Sequence, residues 1–163
     1  MYTKEQVWKS LASEIRIIKH LGKKIPEGKE GYRPSESQRS ILELLQYLST
    51  TGSSMMKILI TEDAKSAEAY ESFKQDVTVA NFSEKMDAQE VDMKETFMKF
   101  TDEDFTKEFD FYGSLTKAEH IVERILKGFA AYRMQLFLYI KANGVHVTTY
   151  DVWAGVDTPP KQD

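Results

Sequence analysis

The chain contains no cysteine. That excludes a disulfide scaffold, a thiol nucleophile and any zinc–thiolate or iron–sulfur site. Proline is nearly missing as well. It occurs only at Pro26, Pro34, Pro159 and Pro160, so residues 35–158 hold none. Proline breaks helix interiors, and a long stretch without it suits long helices. The eight glycines form neither a Gly-x-Gly-x-x-Gly nor a Walker loop. A glycine-loop phosphate cradle is therefore unsupported, and so is a Gly-x-Ser-x-Gly nucleophile elbow. No apolar run reaches the roughly 18 residues of a membrane span, so no membrane partner is expected. The opening Met1-Tyr2-Thr3-Lys4-Glu5 lacks the apolar core of a signal peptide, and the expected location is the cytoplasm.

What remains is an ordinary globular balance. The 163 residues are 41% hydrophobic and 29% charged, with a net charge of −4. One domain is expected over residues 1–158, with 159–163 as a frayed tail. The charge is uneven: residues 1–33 carry eight basic and four acidic side chains, and residues 62–110 six basic and fifteen acidic. Such runs read first as solvated faces. The basic excess is small and not interleaved with aromatics, so no nucleic-acid partner is expected.

Hydrophobic periodicity is helical. Thr3-Lys4-Glu5-Gln6 fits a capping box, and Val7, Leu11, Ile15, Ile18 and Leu21 follow at three-to-four spacing up to a Gly22 cap. Residues 23–34 read as a loop. Ser35-Glu36-Ser37-Gln38 predicts the start of a second helix, whose stripe runs from Ile41 to Leu59 with an interruption at Thr50-Thr51-Gly52. Gly52 marks a kink or a close helix contact. Residues 62–75 read as a short polar helix. A third long helix follows Ser83, with Met86, Met93, Phe97 and Phe100 facing inward, and Asp102–Phe105 predicts a further turn. Thr116-Lys117-Ala118-Glu119 opens the last helix, which ends at Asn143-Gly144. From 117 to 142 it would span about 39 Å at 1.5 Å per residue. The expected fold is all-α: a four-helix bundle with a long loop between the first two helices. The segment 145–158 predicts a short strand or an apolar strap, with Trp153 folded onto the bundle.

Metal motifs are missing. His20, His120 and His146 have no His-Glu-x-x-His or Glu-x-x-His spacing. His120 and Glu123 read as a surface pair on one helix face, and His20 as a favourable charge at the end of the first helix. The seven methionines, five of them between 55 and 98, read as adaptable core filling.

The last helix, Ala131-Tyr132-Arg133-Met134-Gln135-Leu136-Phe137-Leu138-Tyr139-Ile140-Lys141-Ala142-Asn143-Gly144, resembles the final core helix of the DinB-like superfamily of damage-inducible-type bundles. The pattern there is His-x-x-x-His-Arg-Gly-Gln. Arg33-Pro34 followed by Ser40–Leu48 is similar to the family's proline-preceded second helix, which carries a central His. The resemblance implies a four-helix bundle and, commonly, a homodimer. It also implies a divalent metal held by three histidines. Here those positions fall on Tyr47, Gly128 and Tyr132. Arg133 and Gln135 match the motif, while Met134 replaces its glycine. Glycine offers no ligand atom, and an ordinary tyrosine ionises near pH 10. No metal and no cofactor are expected, and Tyr47, Gly128, Tyr132 and Gln135 become candidates for a ligand pocket between helices. The expected function is a small-molecule-binding or protein-interaction module. The alternatives are an enzyme of the thiol-dependent S-transferase type or a metalloenzyme with unconventional ligands.

Overall fold

A computed structural model describes residues 3–159. Helix α1 (Lys4–Gly22) opens on Thr3, whose hydroxyl accepts the Gln6 amide while the Gln6 side chain accepts the Thr3 amide. This is the expected capping box. Gly22 is the last residue of α1, with Lys23 as its cap. It is buried against Phe82, and a Cβ there would lie 2.5 Å from the Phe82 ring.

The second helical arm begins later than the sequence predicts. Ser35 bonds locally within a turn, and the working N-cap is Ser40, whose capping box with Glu43 starts α2 (Ile41–Leu48). Ser40 immediately precedes the first core residue, Ile41, which decides between the two candidate caps. The stripe is then interrupted at Ser49-Thr50, before α3 (Thr51–Thr61), and Gly52 lies inside α3. Its role is close contact: a Cβ on Gly52 would sit 2.7 Å from Phe129 and closer still to Met93.

A 3₁₀ turn (Ala64–Ala67) and the short α4 (Ala69–Lys74) connect α3 to α5 (Phe82–Lys99). Met86, Met93 and Phe97 are buried on the inner face of α5, as the spacing predicts, and Phe100 is buried just beyond its end. The expected further turn is α6 (Asp102–Thr106), capped by Thr101 and Asp104. A small antiparallel hairpin comes next, which the sequence does not predict. In it β1 (Glu108–Asp110) pairs with β2 (Ser114–Thr116), and Phe109 stands opposite Leu115. Thr116 then caps α7 (Lys117–His120). A π-helical turn (Ile121–Leu126) joins α7 to α8 (Lys127–Ala142), so the last helix carries a local widening.

Four helical arms, namely α1, α2–α3, α5 and α7–α8, surround one core. Leu11, Ile15, Leu44, Leu48, Phe97, Phe129 and Leu136 lie within it. Burying aliphatic and aromatic side chains of this size contributes about 1.5–3 kcal/mol each, and this offsets the cost of ordering the chain. No helix among the described residues is long and apolar enough to cross a membrane.

The segment after Asn143 forms the expected strap over α1, without a strand. Val147, Asp151 and Val152 are buried, and Tyr150–Ala154 makes one π-helical turn. Trp153 departs from expectation: it is 65% exposed. Val147 and Val152 fill the space under the strap, and the indole instead lies over the Arg133 guanidinium at 5.1 Å. The expected tail beyond Pro159 lies outside the described residues.

Candidate functional site

Helix α2 packs against α8 and brings Tyr47 and Tyr132 together. Their ring centroids are 4.8 Å apart in an edge-on arrangement, and both side chains are half-buried. Arg39 sits one residue before the Ser40 cap. Its guanidinium lies 4.4 Å from the Tyr47 ring centroid and 5.6 Å from that of Tyr132. Cation–π attraction of this kind contributes about 0.5–1 kcal/mol at an exposed position. Sequence reasoning missed Arg39. The available signal was its place beside a capping serine at the mouth of a helix that carries a candidate aromatic.

Gly128 lies one turn before Tyr132 on the same helix. A Cβ there would meet nothing within 4 Å, so the position is unfilled. Gln135 lies one turn after Tyr132, and its amide donates to the Tyr139 hydroxyl at 2.5 Å. Gln135 does not touch Tyr47; it lines a separate cavity of about 490 Å³ under the loop that carries Tyr32, Pro34 and Gln38. Gly128, Tyr132 and Gln135 thus form one face of α8. Tyr47 approaches that face from α2, and the loop covers its far end.

Burial pushes the Tyr47 phenol above its ordinary value, a Thr51 hydrogen bond opposes the rise, and neighbouring Tyr132 adds to it. The phenol stays neutral at physiological pH. A neutral phenol is a poor ligand for a divalent ion, glycine supplies none, and the nearby Arg39 cation repels a second cation. The residues at these positions do not fit the three-imidazole site that the resemblance implies.

The histidines lie elsewhere. His120 is fully buried, which corrects the expected surface pair with Glu123. The β-hairpin covers it, and its Nε2 donates to the Phe109 carbonyl oxygen at 2.8 Å, leaving Nδ1 without a partner. Glu123 pairs with Lys127 at 2.6 Å instead. His146 is exposed. His20 meets buried Asp151 of the strap at 2.8 Å. With Asp157, these form the group among the described residues whose donor atoms lie close enough to share an ion. Their donors are already engaged. Asp151 accepts from the Thr148 amide and the Thr158 hydroxyl, and Asp157 accepts from Lys24 at 2.5 Å. The arrangement works as a clamp that fastens the strap to α1. Burial pushes the Asp151 carboxyl up, but the hydrogen bonds from Thr158, His20 and Thr148 outweigh it and hold the group below its usual range.

Arg133, the motif arginine, faces away from the tyrosines. It is buried and pairs with Glu14 of α1 at 3.3 Å. Burial raises the Glu14 carboxyl, and the Arg133 charge opposes that rise.

The four arms, the long first loop and the order of helices make an all-α bundle. The crystal structure of YjoA, a DinB-like protein from Bacillus subtilis, shares this fold with a TM-score of 0.72. The match covers 87% of this chain and 94% of that one at 18% identity, a likeness of fold. No protein-family profile matches the chain, and no curated protein sequence does.

Proposed function

We propose that this chain is a small-molecule-binding bundle protein that works without a metal at Tyr47, Gly128 and Tyr132. The ligand lies along α8, from the gap at Gly128, past the Tyr132 ring, toward Gln135. The observation that carries the reading is the edge-on Tyr47–Tyr132 pair under Arg39, with an unfilled position at Gly128 one turn before Tyr132 and a 490 Å³ cavity at Gln135 one turn after it. A planar ligand suits it, because ring faces and a guanidinium plane both favour stacking. The Gln135 amide supplies the polar contact that fixes its orientation.

A thermal-shift screen of small planar compounds tests this on the wild type and on Gly128→Phe, whose ring fills the gap. Compounds that raise the melting temperature of the wild type but not of the variant place the ligand there. Equal shifts in both proteins, or none in either, overturn the reading. A divalent ion retained one per chain in the wild type and lost in Tyr47→Phe/Tyr132→Phe would restore a metal to the site.

A second reading, an interaction module working as a homodimer, rests on the exposed Tyr150, Trp153 and Val156 of the strap. Sedimentation of the wild type against Trp153→Ser would separate the two. Only an interaction surface through the strap loses association in the variant.

A further inference from the structure

A cavity of about 540 Å³ lies between α3, α5 and the short α4, on elements separate from the Tyr47–Tyr132 face. Its volume falls within the range of ligand pockets. Helix α4 has no buried residue, yet Tyr70, Phe73 and Val77 from this connection all line the cavity, and Phe73 remains 52% exposed. The connection is anchored at its ends and propped over a void. Val77 is buried, and the Tyr70 hydroxyl donates to Asp92 on α5 at 2.8 Å.

The polar groups at this cavity divide into two sets. At the floor, Ser49 and Thr50 donate their hydroxyl protons to the Gln46 carbonyl at 3.1 and 3.3 Å. The Gln89 amide is spent on the Gly52 amide and the Leu48 carbonyl. Ser53 donates to the Gln89 carbonyl at 3.5 Å and Ser66 to the Asp63 carbonyl at 2.6 Å, so each hydroxyl of the lining already has an acceptor. Nearer solvent stand exposed Lys57 of α3 and half-buried Lys85 of α5. Neither has a carboxylate partner among the described residues. Asp92, the acidic residue of the lining, is engaged by Tyr70. Two ammonium groups without carboxylate partners thus flank an apolar opening, and Lys85 does so from within the strongly acidic segment 62–110.

We propose that this cavity binds an amphiphilic carboxylate, with its apolar body under α4 and its anionic head between Lys57 and Lys85. Charge complementarity selects the head, and the proton-donating capacity spent at the floor keeps that head outward. The apolar body replaces water against Tyr70, Phe73 and Val77, which stabilises the complex in proportion to the area covered. The site is independent of the ligand face on α8, so either can fail without the other.

Calorimetric titration of the full chain with decanoate tests the proposal, with decanol as the neutral analogue. Decanoate should bind at least tenfold more tightly than decanol. Lys57→Met/Lys85→Met should remove that preference while leaving decanol binding unchanged. Ala88 lines the cavity from an exposed position on α5, so Ala88→Phe should block both ligands without disturbing the core. Circular dichroism and melting temperature establish that each variant folds, and Gly128→Phe should bind decanoate as the wild type does. Equal affinity for decanoate and decanol, a preference that survives loss of both lysines, binding unaffected by Ala88→Phe, or no binding of decanoate would each overturn the proposal.

Discussion

Gln89 and Gly52 stand 37 positions apart in sequence, and the Gln89 carboxamide oxygen accepts the Gly52 amide at 2.9 Å. The nitrogen of the same carboxamide donates to the Leu48 carbonyl at 2.8 Å. One buried side chain on α5 thus satisfies backbone groups on both sides of the break between α2 and α3. Without it, an amide and a carbonyl freed by that break would be buried unpaired.

Gln89→Leu should therefore destabilise the protein by about 2–4 kcal/mol, because two buried backbone groups lose their partners. Urea denaturation followed by circular dichroism measures this. A loss below about 0.5 kcal/mol would mean that water replaces the carboxamide.

Glycine replacements should split in sign. Gly52→Ala forces a methyl against Met93 and Phe129 and should cost about 1–3 kcal/mol. Gly128→Ala meets open space inside α8 and should gain about 0.5–1 kcal/mol from helix propensity. Thermal melts of the two variants check the contrast.

The strap should loosen in acid. The Asp151 carboxyl is depressed in the folded chain, so the stability it contributes is complete above its unfolded value near 3.9 and is lost as pH falls through the lower folded value. Melting temperatures measured from pH 7 down to pH 2 should drop below about pH 4. Asp151→Asn should lower stability at neutral pH and flatten the acid limb. An acid limb unchanged in Asp151→Asn would show that the clamp does not set the acid response.

Two tyrosines should ionise late. Burial pushes up both the Tyr47 and the Tyr70 phenol, with Tyr132 contributing at the first and the Asp92 bond at the second. Absorbance titration at alkaline pH should show a late phase from these two phenols. Tyr47→Phe and Tyr70→Phe should each remove part of the late phase, and Tyr70→Phe should also free Asp92.

The fold was largely legible because its signals are local and repeated. Thr3 and Thr116 announce helix starts within four residues, and each is followed at once by a helical stripe. Ser35 misled because Ser35-Gln38 and Ser40-Glu43 fit the same signature five residues apart, and only burial of Ile41 decides between them. The hairpin escaped because strands of three residues leave no periodicity to read. Its turn relies on Tyr112 and Gly113, both at positive φ, where the glycine is the readable half. Trp153 was misplaced because hydrophobicity alone does not tell which of Val147, Val152 and Trp153 occupies a space large enough for two. At the candidate site, a resemblance brought Tyr47 and Tyr132 together on paper, and the fold puts their rings in contact. Arg39 left only the weak signal of its place beside Ser40, and the lysines at the second cavity left none, since Lys57 and Lys85 meet only where α3 and α5 pack together.

The π-helical turn at Ile121–Leu126 gives the final arm one residue more than a regular helix of the same rise would hold. Deleting a single residue there would leave a continuous α-helix with Lys117 and His120 still facing inward, because six residues in the wider turn cover about the same rotation and rise as five in an ordinary helix. A deletion within α8 itself would instead turn the segment before it by about 100° and swing Lys117 and His120 out of the interior. The widened turn thus gives the final arm a length tolerance of one residue. A residue lost there costs the bulge and spares the seat of the hairpin over His120.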